Sequence, residues 1–134
     1  MCLFHDVSES RISDLNYVHQ KYTERFEEKA HQDLADSLPF GRDIKVLLDE
    51  YETRESCESK LVKDADNLEW ILALKEQFDI GNERAKHWID LAFRRLKTEE
   101  GKNLGAVIMS TDSDTWWFGE KDGEWWVDRK KGTE

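Results

Sequence analysis

The spacing of apolar residues along the chain predicts a protein built mainly from helices. Apolar side chains recur every three or four positions in long segments, which is the period of a helix with one buried face. Only one proline, Pro39, interrupts the chain. The predicted helices cover about residues 1–11, 17–37, 42–51, 55–81 and 83–109, and the last is expected to bend near Gly101.

Each predicted helix has a candidate inward face. The second presents Tyr22, Phe26, Ala30 and Leu34, and the third presents Ile44, Leu47, Leu48 and Tyr51. The fourth presents Leu61, Ala65, Leu68, Leu72 and Ala73, and the fifth, capped by Asn82, presents Ala85, Trp88, Ile89, Ala92, Phe93 and Leu96. These residues are expected to form the core of one helical domain over residues 1–112.

The tail has a different pattern, with aromatic residues on both sides of Asp122-Gly123. An Asp-Gly pair between two apolar segments is a strong signal for a two-residue turn, so residues 113–134 are predicted to contain a short β-hairpin. Its tryptophans suit packing over the core or a second subunit. A platform for nucleobases is the weaker alternative, because the protein is acidic.

The charge of the chain excludes several classes of partner. Thirty Asp and Glu residues against twenty Lys and Arg give a net charge of −10, which disfavours binding to nucleic acid or anionic membranes. Cys2 and Cys57 fit no metal-binding or disulfide pattern, so reduced thiols in a cytoplasm are expected. The chain also contains no apolar segment long enough to span a membrane.

Candidate chemistry begins at the fifth residue, in the segment "LFHDVSESRISD". His5 and Asp6 offer an imidazole and a carboxylate to one divalent metal, and Glu9 follows one helical turn later, where it could handle a water. A second carboxylate, Asp66, lies beside predicted core positions and would need a partner there. The alternative is a half-buried His5 bonded to a neighbour, with Asp6 and Glu9 in solvent.

The segments "FHDVSESRISDLN", "EYETRESCESKLVKDADNLEW" and "WIDLAFRRLKTEEGKNL" together resemble the HD-domain metal-dependent phosphohydrolases, in particular the small 5'-deoxynucleotidases. The resemblance implies an all-α HD-domain-like helical bundle, and a homodimer. It implies a divalent ion (Mn, Co or Mg) held by His5, Asp6 and Asp66, with Glu9 as the catalytic carboxylate. It also implies a nucleotide substrate that contacts the loop of Asp14, Leu15, Asn16 and Tyr17, and Lys63 near its phosphate.

The chain departs from this family pattern at its beginning. The family's first metal-binding histidine, and the basic residue that orients the phosphate, come from helices before the His-Asp pair, and only four residues precede it here. We expect a fold that lacks its N-terminal part, through truncation or a misassigned start. His19, His31 and His87 are interpreted as ordinary surface histidines rather than replacements.

Two functions follow from this pattern. The first is hydrolysis of deoxynucleoside 5'-monophosphates to nucleoside and phosphate by a cytoplasmic, metal-dependent phosphomonoesterase. The second is a catalytically impaired helical dimerisation module derived from such an enzyme. Metal content distinguishes them, because an enzyme should bind about one ion per chain.

Overall fold

The computed structural model describes residues 1–115 and 123–128, and within these ranges the protein contains helices and no strand. The predicted all-α class is therefore confirmed for the described residues. The helices are α1 (Glu9–Ile12), α2 (Tyr17–Tyr22), α3 (Glu27–Ser37), α4 (Gly41–Thr53), α5 (Cys57–Asp79), α6 (Arg84–Phe93), α7 (Glu99–Ser110) and α8 (Glu124–Val127). No helix of the described ranges has the length and apolar character needed to cross a bilayer.

The chain forms two compact units, residues 1–64 and 65–134, and the single helix α5 runs through the boundary between them. In the first unit α3 packs against α4, and α1 contacts α3. The apolar core of this unit comprises Ala30, Ala35, Ile44, Leu48 and Tyr51. The buried face predicted for α4 is confirmed except at Leu47, which is exposed.

The second unit has its own apolar cluster. It comprises the buried Leu68, Ile71, Ala92 and Leu96, surrounded by the partly buried Trp70, Phe93, Ile108 and Met109. Gly105 allows α7 to approach Phe93, because a Cβ there would lie 2.9 Å from the phenyl ring. Ala85, Ile89, Ala92 and Leu96 point inward as predicted, whereas Trp88 is exposed.

The amino-terminal helices are shorter than the pattern predicts. Residues before Glu9 form successive turns, with Phe4 N–H donating to the Met1 carbonyl and Val7 N–H to the Phe4 carbonyl. The predicted second helix is divided into α2 and α3, because Thr23 adopts an extended conformation. This break changes the helical phase, so Tyr22 and Phe26 are exposed, and the buried face of α3 consists of Ala30, His31 and Ala35.

Helix α5 buries a more polar face than predicted. Leu68 is buried as expected, but the other four stripe residues, Leu61, Ala65, Leu72 and Ala73, are exposed. The buried polar and charged side chains of this helix are Ser59, Asp64, Asn67 and Lys75. Apolar residues are distributed around the whole circumference of α5, so its periodicity could not select the buried side.

The last predicted helix is two helices, and the break precedes Gly101. The Thr98 side chain accepts a hydrogen bond of 2.9 Å from Gly101 N–H, which caps the start of α7. The start of α6 also differs from the prediction, since Glu83 rather than Asn82 occupies its N-cap position.

The predicted β-hairpin is corrected where the structure describes it. Residues Glu124–Val127, assigned to its second strand, form the short helix α8. Trp126 N–H donates to the Gly123 carbonyl at 3.0 Å, a local bond that needs no partner strand. The first predicted strand, Trp116–Phe118, lies outside the described residues, and the domain boundary at residue 112 stays a prediction.

Acid is expected to weaken the contact between the end of α5 and the segment after α7. Asp79 pairs with Lys75 and accepts a hydrogen bond of 2.6 Å from the Ser113 hydroxyl. These bonds, the one from Lys75 first, lower the pKa of Asp79 below its ordinary value. The stabilisation is therefore complete above the unfolded-state pKa, about 3.9, and is lost as the pH falls through the lower folded-state pKa.

Urea unfolding of the wild type and Asp79→Asn between pH 7 and pH 2 measures this effect. The wild type should be the more stable protein at pH 7, and the difference in unfolding free energy should shrink below pH 4. A difference independent of pH would contradict the assigned role of the Asp79 carboxylate.

Candidate metal centre

His5 is held in a defined orientation by its own turn and by α4. Its Nδ1–H donates a hydrogen bond of 2.8 Å to the Cys2 carbonyl, and its ring packs edge-on to Tyr51 with 5.4 Å between centroids. Tyr51 is buried, and the Arg54 guanidinium lies 3.3 Å from the centre of its ring. In the neutral ring the proton then lies on Nδ1, and Nε2 has the lone pair that a metal requires.

Asp6 lies beside this nitrogen. The distance from Asp6 Oδ2 to His5 Nε2 is 3.2 Å, and the Asp6 side chain is 60% exposed against 19% for His5. The two side chains are adjacent although the segment forms turns rather than the predicted helix. An imidazole and a carboxylate in this arrangement match the ligand preferences of a divalent transition metal.

Asp66, the third ligand proposed from the sequence, is half-buried on α5 and belongs to the second unit. The three proposed ligands would supply one imidazole nitrogen and two carboxylates, a donor set that fits a divalent ion.

Glu9 is the first residue of α1 and is half-buried. Burial raises its pKa, and the negative charges of Asp6 and Asp14 add to the effect. A raised pKa makes the carboxylate a better proton acceptor near neutral pH, which is the property a general base needs.

The predicted substrate loop connects α1 to α2. It follows Ser13, whose positive φ of 67° ends α1. Asn16 caps α2, since its side chain accepts hydrogen bonds from Val18 N–H at 3.0 Å and His19 N–H at 3.1 Å. Asp14 and Tyr17 are exposed and Leu15 is half-buried, so the loop presents polar groups at the surface.

Other residues show what sequence reasoning missed. Lys63 is half-buried on α5, one turn before Asp66, but the more deeply buried carboxylate of "KDAD" is Asp64, which is 1% exposed. Periodicity could not distinguish these neighbours, because α5 has no clear apolar face.

The interpretation of His31 as a surface histidine is wrong, since it is 2% exposed, whereas His19 and His87 are exposed as expected.

A comparison with protein families decides the classification. The sequence profile described as HD domain matches residues 1–107, which include every proposed site residue. The chain belongs to the HD-domain family.

Relatives of this HD-domain protein are named 5'-deoxynucleotidase HDDC2. The Bos taurus protein is 34% identical over 87 residues, covering 61% of this chain and 42% of the relative. The Mus musculus protein is 32% identical over 87 residues, with 61% and 44% covered, and the Homo sapiens protein is 32% identical over 85 residues, with 60% and 42% covered. The chain thus spans less than half the length of these relatives. No solved structure matches it.

Proposed function

We propose that this HD-domain protein is a metal-dependent phosphomonoesterase that hydrolyses deoxynucleoside 5'-monophosphates to nucleoside and phosphate. The observation that carries the proposal is the His5–Asp6 pair, 3.2 Å apart, within the segment that matches the HD-domain profile. The named activity of the relatives supports the choice of substrate. The family match and the names of the relatives do not favour the dimerisation module as the function of the chain.

His5, Asp6 and Asp66 would hold the metal. When bound, a divalent ion supplies positive charge that polarises a phosphate ester and lowers the pKa of water. The protein's contribution is orientation, since the Cys2 carbonyl and the Tyr51 ring keep Nε2 of His5 directed away from its own backbone.

Glu9 is proposed to accept the proton of the attacking water. Its raised pKa comes first from burial, which leaves the carboxylate less solvated and more basic than an exposed glutamate. Asp14 would accept a hydrogen bond from a sugar hydroxyl, and Asn16 and Tyr17 would contact the nucleoside. Leu15 would supply an apolar contact and Lys63 would balance phosphate charge.

Release of inorganic phosphate tests the proposal. The purified chain is assayed with a panel of deoxynucleoside and ribonucleoside 5'-monophosphates after loading with Mn²⁺, Co²⁺ or Mg²⁺. The expected result is turnover of deoxynucleotides that stops when a chelator removes the ion. Absence of turnover with every nucleotide and metal, from a folded chain, would contradict the proposal.

The Glu9→Gln variant separates proton transfer from binding in the same assay. The amide keeps the shape of the side chain but cannot accept a proton, so kcat should fall roughly 10²- to 10⁴-fold with little change in KM or metal content. Glu100→Gln, a change at an exposed position on α7, serves as the control. Equal kcat for Glu9→Gln and the control would exclude Glu9 as the base.

A homodimer in the cytoplasm is part of the same proposal. Helix α7 exposes Leu104 and Val107, which are 52% and 58% accessible and lie three residues apart on one face. Burial of such apolar groups between two copies would be favourable. Light scattering during size-exclusion chromatography should give twice the chain mass of 15.9 kDa.

A further inference from the structure

The first unit contains a second cluster of potential metal ligands, on α3 and α4. Glu28 and His31 lie three residues apart on α3, and Asp49 lies on α4. One candidate ligand atom from each residue lies within 4.8 Å of the other two. The i, i+3 spacing of a glutamate and a histidine places both side chains on one helix face, an arrangement that helical metal proteins use.

The histidine distinguishes this cluster from an ordinary acidic surface. His31 is 2% exposed, and its buried Nε2 atom has no hydrogen-bond partner. Buried polar atoms are nearly always hydrogen-bonded, so an unpartnered nitrogen on an imidazole ring that lies near two carboxylates requires an explanation. A metal ion bound to that ring would provide one.

Lys45 at present neutralises the two carboxylates. Its Nζ lies 2.8 Å from Glu28 Oε1 and 2.8 Å from Asp49 Oδ1, so one ammonium group joins α3 to α4. Hydrogen bonds to Asp49 and Glu28 raise the pKa of Lys45 and keep it charged. The ammonium therefore supplies positive charge to the carboxylates but leaves the His31 nitrogen unpaired.

We propose that Glu28, His31 and Asp49 form a second divalent-metal site, separate from the HD centre, which Lys45 closes in the metal-free protein. The metal displaces the Lys45 ammonium from the carboxylates and gains the imidazole as a third ligand. One nitrogen and two oxygens suit Zn²⁺, Co²⁺ or Ni²⁺ better than Mg²⁺. The proposal does not depend on the phosphatase activity.

The side chains can reach the geometry of a metal site without movement of the helices. Tetrahedral zinc requires ligand atoms about 3.4 Å apart, given zinc–ligand bonds near 2.1 Å. The Glu28 and Asp49 side chains are 74% and 49% exposed, so both can rotate toward the fixed His31 ring. Water would complete the coordination on the exposed side.

Zinc titration of the full chain tests the site. The titrated protein carries His5→Ala and Asp6→Asn, which remove the HD centre. Competition with a chromophoric chelator should show one Zn²⁺ per chain in this background. Glu28→Gln and Asp49→Asn should each weaken binding at least tenfold, whereas Asp33→Asn, an exposed carboxylate on the same helix, should leave it unchanged. These substitutions lie at exposed positions, so the fold should tolerate them.

The Lys45→Met variant gives the most specific result. It keeps most of the aliphatic stem but removes the competing charge, so zinc affinity should rise at least tenfold. If the cluster served only as a structural ion pair, the Lys45→Met protein would instead be less stable and would bind no zinc. Zinc should also shift the ring ¹⁵N resonances of one buried histidine. Unchanged or weaker zinc binding in Lys45→Met, or equal binding in Glu28→Gln and the background, would overturn the proposal.

Discussion

Asp6→Asn should reduce kcat/KM for deoxynucleoside monophosphates by about 10³-fold and lower the metal content of the purified chain. The Asp6 side chain is 60% exposed, so the change removes a ligand charge without opening a cavity. Metal stabilisation of a phosphoryl transition state contributes several kcal/mol, and about 4 kcal/mol corresponds to this factor. Phosphate release and metal analysis of the same preparation measure both effects.

Three further variants make this result specific to the centre. His5→Ala should cause a comparable loss, whereas His87→Ala changes an exposed histidine of α6 and should retain the wild-type rate. Asp90→Asn is the matched control for Asp6→Asn, since Asp90 is an exposed carboxylate on α6. Wild-type activity and metal content in both Asp6→Asn and His5→Ala would show that catalysis occurs elsewhere.

Gly41→Ala should destabilise the first unit by about 3 kcal/mol, although it adds a single methyl group. Gly41 begins α4 where this helix approaches the end of α3. A Cβ at this position would lie only 2.5 Å from Ala35 Cα and would also overlap the carbonyl group of that residue. Backbone atoms cannot rotate away as a side chain can, so α3 and α4 would have to separate.

Chemical unfolding of the variant measures this cost. Gly81→Ala provides a comparison, since a Cβ there would meet no atom within 4 Å and the penalty arises only from its φ of 96°. That penalty should be about 1–2 kcal/mol, less than the cost at Gly41. Equal stability of Gly41→Ala and the wild type would mean that α3 and α4 do not approach closely at this position.

Local chemistry explains where the sequence predicted the fold successfully. The core of α4 and most of the inward face of α6 followed from a three-to-four-residue apolar period, because one side of each helix is apolar and the other is charged. Asn16 caps α2, because a side-chain amide oxygen can accept bonds from the free N–H groups at a helix start.

Long-range packing explains the failures. Tyr22 and Phe26 fitted one continuous helix, but the extended residue Thr23 places them outside the buried face of α3. His31 appeared polar in sequence, yet the contact of α3 with α4 buries it. The hairpin prediction failed at α8, because a strand needs a partner whereas a helical turn satisfies its own backbone groups.

The sequence by itself determined the helical class, the family and the identity of the proposed ligands, because these depend on residue type and spacing along the chain. Only the tertiary structure decided which groups come together. It packs the His5 ring against Tyr51, buries Asp64 more deeply than Asp66, and places His31 near Glu28 and Asp49. Such arrangements depend on contacts between segments distant in sequence, which a local pattern of apolar and polar residues does not encode.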